Sequence, residues 1–189
     1  MFISRLCVIL VLAVNLINAL PVLQTSGLER RVKEPEKSNN PKDWPTSEQL
    51  DKALPTGPGK ATFWAGNTNG VSAQKSADEH AKNTGGTTLE GHLKDNNLKM
   101  PPWQEGNRAA EDKWNEASDK FAENAKGHVH AFVGDESRPN SVYHNREKKK
   151  LIENPNVHKL TEHRHPTRPG AKQVVHRKGG SPTRKPKLR

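Results

Sequence analysis

Three regimes of apolar patterning follow one another along the chain. Met1 to Ala19 holds fifteen apolar residues in nineteen and one charge, Arg5. Its apolar run from Leu6 to Ile17, interrupted by Asn15, is too short to cross a bilayer. A basic residue, a short apolar stretch and a small residue at Ala19 make the layout of a secretory signal peptide, which predicts a secreted chain starting near Leu20. Residues 20–59 are then poor in core residues and contain Pro35, Pro41, Pro45, Pro55 and Pro58. That composition predicts a largely disordered linker or pro-segment, with Trp44 and Leu50 as the side chains able to pack.

From residue 60 to residue 162 the pattern becomes periodic. Ala61 to Ala65 is a short apolar run between Gly59 and Gly66, as in a buried strand. Ala73, Ala77 and Ala81 recur every four residues over 71–83, and Gly85-Gly86 follows as a helix stop. Thr87-Thr88-Leu89 reads as a second extended segment ending in Glu90. Ala110, Trp114, Ala117, Phe121 and Ala125 form one helical stripe over 108–126, with Gly127 as its terminator. His128 to Val133 reads as a strand, 134–140 as a loop, and Ser141-Val142-Tyr143 and Val157 to Leu160 as two further strands. Pro155 breaks any long helix between those two. The alternation predicts an α/β domain over 60–162, a small mostly parallel sheet with packed helices.

Composition adds limits. Without the leader, 170 residues remain, about a quarter of them apolar, which leaves room for one small domain and excludes a large multi-domain enzyme. Cys7 is the only cysteine and departs with the leader, so stability must come from an apolar core rather than disulfides. The net charge of +10 is not spread evenly: residues 20–162 hold 21 Lys+Arg against 21 Asp+Glu. The tail 163–189 holds nine Lys+Arg and no acid, with four prolines and three glycines, and is predicted to be disordered and able to attract a polyanion or anionic surface. Arg30-Arg31 is a candidate processing site. No Asn-x-Ser/Thr sequon follows the leader, and no phosphate loop or Gly-x-Gly-x-x-Gly motif occurs.

Little chemistry is legible from residue types alone. His128 and His130 stand two apart on a strand, but zinc needs further ligands and no third clustered histidine is evident, so no metal is expected. By periodicity Trp114 and Trp64 read as core, Ser118 as a helix surface residue, Glu90 as a solvated end and Glu147 as part of an exposed charged run.

The order of short motifs changes that picture. Thr62-Phe63-Trp64-Ala65, Thr87-Thr88-Leu89-Glu90, Pro102-Trp103, Trp114-x-x-x-Ser118-x-x-Phe121-Ala122, Gly127 to Gly134, Ser141-Val142 and Glu147-x-x-x-Leu151 succeed one another over roughly a hundred residues. The set resembles the ADP-ribosyl cyclase and NAD glycohydrolase family. The resemblance implies that Trp64 and Trp114 line a nicotinamide pocket, that Ser118 contacts substrate, and that Glu90 contacts nicotinamide and influences hydrolysis against cyclisation. It also implies that Glu147 is the catalytic glutamate and that Ser141 is the loop serine before it. NAD would be the substrate, held in a cleft, with no cofactor. Lys148-Lys149-Lys150 follow Glu147 and, if close to it, are expected to favour its ionised form. The sequence therefore supports two readings. One is a secreted enzyme that cleaves the nicotinamide-ribose bond of extracellular NAD, to ADP-ribose with some cyclic product, as an effector on another organism or on extracellular NAD. The other is a catalytically inactive secreted binding protein using the basic tail.

Overall fold

The structure, a computed structural model, describes residues 36–165 and 172–178. The leader, Arg30-Arg31 and the rest of the basic tail lie outside the described residues. In chain order the elements are a 3-10 turn (Pro41–Asp43), α1 (Ser47–Ala53), β1 (Thr62–Ala65), the hairpin β2 (Asn67–Thr68) and β3 (Val71–Ser72), α2 (Gln74–Thr84), α3 (Leu89–Asp95) and α4 (Arg108–Asn124). There follow β4 (Gly127–Gly134), a π-helical turn (Tyr143–Glu147), α5 (Lys148–Glu153), β5 (Val157–His165) and β6 (Lys172–Arg177). The main sheet runs β1-β4-β5-β6; β1, β4 and β5 are parallel and β6 is antiparallel at the edge. The fold is the expected α/β type with a mostly parallel sheet.

The sheet is covered unequally on its two sides. Ala61, Phe63 and Ala65, with Val129, Ala131 and Leu160, enter a core with Ala117, Phe121 and Ala122 of α4, Leu50 of α1, Leu89 and Leu93 of α3 and Leu151 of α5. On the other face Trp64 and Phe132 meet Ala73 and Ala77, the small residues that let α2 approach closely. α2 ends where expected, at Gly85, whose φ of 63° suits the left-handed cap. Among the described residues no helix is long and apolar enough to cross a membrane.

Several local expectations are corrected. The extended segment at Thr87-Thr88-Leu89 is cut short: Thr87 bridges Ala61 in parallel, but Thr88 accepts a hydrogen bond from the Gly91 amide (3.3 Å) and caps α3, which begins at Leu89 and buries Leu89 and Leu93 one turn apart. Ser141-Val142-Tyr143 leads into the π-helical turn, because Tyr143, Glu147 and Leu151 share a buried stripe that only a helical backbone produces. Gly127 is the first residue of β4 rather than a helix terminator. The end of α4 is closed instead by the buried Asn154 amide, which donates to the carbonyls of Ala122 (3.0 Å), Glu123 (2.9 Å) and Ala125 (3.0 Å).

The expected domain limits also move. From residue 36 the N-terminal segment is tied to the domain: Ser38 and Glu36 exchange backbone bonds with Met100. Leu50 and Leu54 are fully buried, and Thr46 and Gln49 form a capping box on α1. At the other end the limit at residue 162 falls inside β5, and residues 172–177, placed in the disordered tail, form β6. Backbone pairing to β5 and the packing of Val175 on the core account for that order.

Candidate active site

A cleft of about 1290 Å³ lies between the end of β1, the start of α3, one face of α4, and the loop and π-helical turn after β4. Parallel sheets gather such clefts at the carboxyl ends of their strands, where the crossover connections diverge. Gly66 helps to shape the rim: its φ is 70°, and a Cβ there would lie 2.5 Å from Ser137 Cα. All six residues singled out in the sequence, Trp64, Glu90, Trp114, Ser118, Ser141 and Glu147, line this cleft.

Each is positioned by its element. Glu147 ends the π-helical turn, whose extra residue per turn swings it off the exposed side of the charged run and inward, to 7% exposure. Ser118, buried on α4, hydrogen-bonds the Glu147 carboxylate. Glu90 stands in the first turn of α3, where the helix N-terminus favours a negative charge, and accepts a hydrogen bond from Trp64 Nε1 (3.1 Å). Trp114 donates its Nε1–H to the Pro101 carbonyl (2.9 Å). Both indole N–H groups are thus engaged, leaving the ring faces as the surfaces Trp64 and Trp114 can offer a ligand. Ser141 is half-buried at the mouth, its hydroxyl oxygen 3.4 Å from the His144 amide.

The electrostatics reverse one expectation. Burial pushes the Glu147 carboxyl up to about 8, the neighbouring Glu90 charge adds to the rise, the Ser118 hydrogen bond opposes it, and Asp119 contributes least. The three lysines do not hold Glu147 ionised. Lys148 pairs with Glu162 (2.9 Å), Lys150 pairs with Glu123 on the outside of α4, and Lys149 is exposed. A helical backbone at 148–150 sends consecutive side chains to different sides, so sequence adjacency says little about distance here.

Other cleft residues carried weaker signals. Trp103 is 54% exposed at the rim, where no core explains an indole, and Arg138 and Asn140 reach the cleft from the loop after β4. On the sheet face under α2, His128 and His130 do acquire further histidines: His80 from α2 and His163 from β5, ring centroids 4.5 and 5.1 Å from His130. Cross-strand pairing and helix packing bring them from 33 or more positions away, beyond the reach of local spacing. Among the described residues no three or more His, Cys, Asp or Glu are arranged to hold a metal ion.

No family model and no curated protein matches the chain. Among solved structures it is similar to an ADP-ribosyl cyclase complexed with N1-cIDPR, at 20% identity and a TM-score of 0.46, over 71% of this chain and 60% of that one. It is also similar to the Aplysia cyclase complexed with substrate NGD and product cGDPR, at 20% identity and a TM-score of 0.44, over 71% and 59%. A third is porcine CD38 complexed with a covalent intermediate, ribo-F-ribose-5'-phosphate, at 20% identity and a TM-score of 0.45, over 70% and 66%. The chain thus spans about three-fifths of the length of the two cyclases.

Proposed function

We propose that this protein cleaves the nicotinamide-ribose bond of NAD, releasing nicotinamide and ADP-ribose. The observation that carries the reading is the burial of Glu147 beside Glu90 in a cleft walled by Trp64 and Trp114. Two carboxylates in a dry site repel one another, and a cationic ring between indoles relieves that repulsion while stacking on their faces. The pyridinium of NAD is such a ring. The cleft also exceeds the roughly 300–1,000 Å³ of ordinary small-molecule sites, which suits a ligand as long as a dinucleotide. Arg138 at the rim is available to the diphosphate.

The chemistry follows from charge movement. When the ribose C1′–nitrogen bond breaks, its electron pair leaves with the ring, nicotinamide departs neutral, and positive charge passes to the ribose. No general acid is required. Glu147, ionised when the cationic substrate enters and oriented by Ser118, stabilises that charge in a low-dielectric site. Water then adds to C1′ and gives up a proton, completing ADP-ribose. Capture by the adenine ring instead of water gives a cyclic product, and Glu90, beside Trp64, is the residue placed to influence that choice by orienting the departing ring. The leader headed by Arg5 supports secretion and action on extracellular NAD, and N-terminal sequencing of the exported protein tests cleavage near Leu20.

The test is nicotinamide release from NAD, with ADP-ribose and its cyclic form separated by chromatography. Glu147→Gln is expected to lower turnover by about 10²–10³-fold or more with the fold retained. Equal turnover by folded variant and parent would remove Glu147 from the mechanism. No release by the folded parent would leave the binding-protein reading.

A further inference from the structure

The sheet face beneath α2 carries a line of imidazoles that the cleft does not use. His128, His130 and Phe132 alternate along β4, and the parallel register sets Thr161 beside His130 and His163 beside Phe132 on β5. His80 lies across them from α2. Ring centroids are 4.1 Å apart for His128 and His130 and 4.5 Å for His80 and His130, while His163 stacks on Phe132 at 4.7 Å with planes 11° apart. His130 Nδ1 and His163 Nε2 are 2.8 Å apart, and His128 Nε2 is 2.9 Å from Thr161 Oγ1. An N–H···N bond between two imidazoles needs one neutral ring as acceptor, so double protonation sets donor against donor.

The surroundings oppose protonation. His80 approaches from α2, and His158, Lys159 and His163 from β5. Opposite His130 on β1 is the uncharged Thr62, and the β6 register sets Arg177 opposite Lys159. Every charge acting on His128 and His130 is therefore cationic. Burial first, and then these neighbours, lower His128 to about 4 and His130 to about 3, and burial lowers His80 as well.

Besides these rings α2 rests on small residues, Ala73 and Ala77 against Phe132 and Trp64 with Ala81 buried behind them, and on one side-chain bond to β5, between Ser76 Oγ and Nδ1 of the buried His165 (2.8 Å). The same helix holds the next one, because Asp78 accepts a hydrogen bond from Thr88 Oγ1 (2.8 Å), and Thr88 caps α3, which presents Glu90. We propose that the imidazole cluster is an acid-sensitive joint: on acidification it takes up protons, the His130–His163 bond is lost, and α2 loosens from the sheet together with the capped start of α3. Between the ordinary histidine value of 6.5 and about 4, the unfolded or opened chain holds protons that the closed cluster refuses. Closure is therefore fully present above that window and is lost as pH falls through it. Asp78 and Glu147, both raised by burial, act with the opposite sign, and because the Glu147 contribution to global stability spans 4.5 to about 8 the joint is read from residues 74–90 relative to α4.

The experiment is hydrogen exchange of the mature chain from about pH 7.5 to about pH 5, corrected for intrinsic exchange. Protection over residues 74–90 is expected to fall about tenfold or more while α4 keeps its own, since one unit of displaced pKa is a factor of ten in the linked equilibrium. The double variant His130→Gln, His163→Gln removes both partners of the imidazole pair and is expected to flatten that dependence. Because it could fold poorly, NMR titration of the parent's imidazole Cε1 protons gives an independent reading. His128 and His130 rings that stay neutral down to pH 5 support the joint. Rings that titrate near 6.5, protection over 74–90 that does not change, or loss shared equally by α4 would each overturn it.

Discussion

Glu147 shows how a residue's neighbours in sequence can mislead about its surroundings in the fold. The family resemblance marked it where its own surroundings in sequence read as an exposed charged run, and the structure puts it in the cleft with the five other candidates. The lysines beside it suggested an ionised carboxylate, yet they pair with Glu162 and Glu123, and burial dominates. Two consequences follow. In the free protein the carboxylate form grows as pH rises through about 8, so kcat/KM for NAD is expected to climb tenfold per unit below that value and level off above it. A steady-state pH profile that is flat between pH 6 and 9 would contradict the role. For stability the sign is opposite. The folded value lies above the ordinary 4.5, so the folded chain holds a proton that the unfolded chain has lost, and stability falls as pH rises from 4.5 towards 8. Glu147→Gln is expected to be more thermostable than the parent at pH 8 and above, by on the order of a few kcal/mol, as read by calorimetry across pH.

At the scale of elements, long periodic segments were legible and short ones were not. The stripe from Ala110 to Phe121 and the strand after it needed only their own residues. Thr88 and Ser141 stood in stretches too short for periodicity to choose between strand and helix. A capping bond decided the first. The second was decided by the burial of Tyr143, whose hydroxyl donates to Glu162 of β5 (2.8 Å), and of Glu147 and Leu151, spaced four apart along one helical face. The helix that carries Ser118 ends on Asn154, thirty positions on in sequence. Asn154→Ala leaves buried carbonyls at the end of α4 without their donor and is expected to cost about 1–3 kcal/mol, measured by urea unfolding. A change within about 0.3 kcal/mol would mean that water takes over the amide's role.

At the scale of the whole molecule, the sheet extends beyond the limits that composition suggested. β6 pairs with β5 along its length, and Val175 packs against the core. Ending the chain after His165 leaves β5 as an unpaired edge. The shortened protein is expected to melt several degrees lower, by roughly 2–4 °C per kcal/mol lost, and to associate on size-exclusion chromatography. An unchanged melting temperature would mean that β6 contributes nothing to the sheet. Composition could not find β6, because Lys172 to Arg177 is ordered by pairing with β5 and by Val175 packing on a core made elsewhere, in a stretch too short and polar to announce a strand. The chain's own sequence determined the fold class and the principal helices and strands, since these depend on periodicity, while the cleft residues were marked only by the resemblance carried by the order of short motifs. Tertiary structure alone decided that six residues from separate segments share one cleft, that Glu147 holds its proton, and that four histidines meet under α2. Distance and dielectric are properties of the packed chain, and both are set by contacts between residues far apart in sequence.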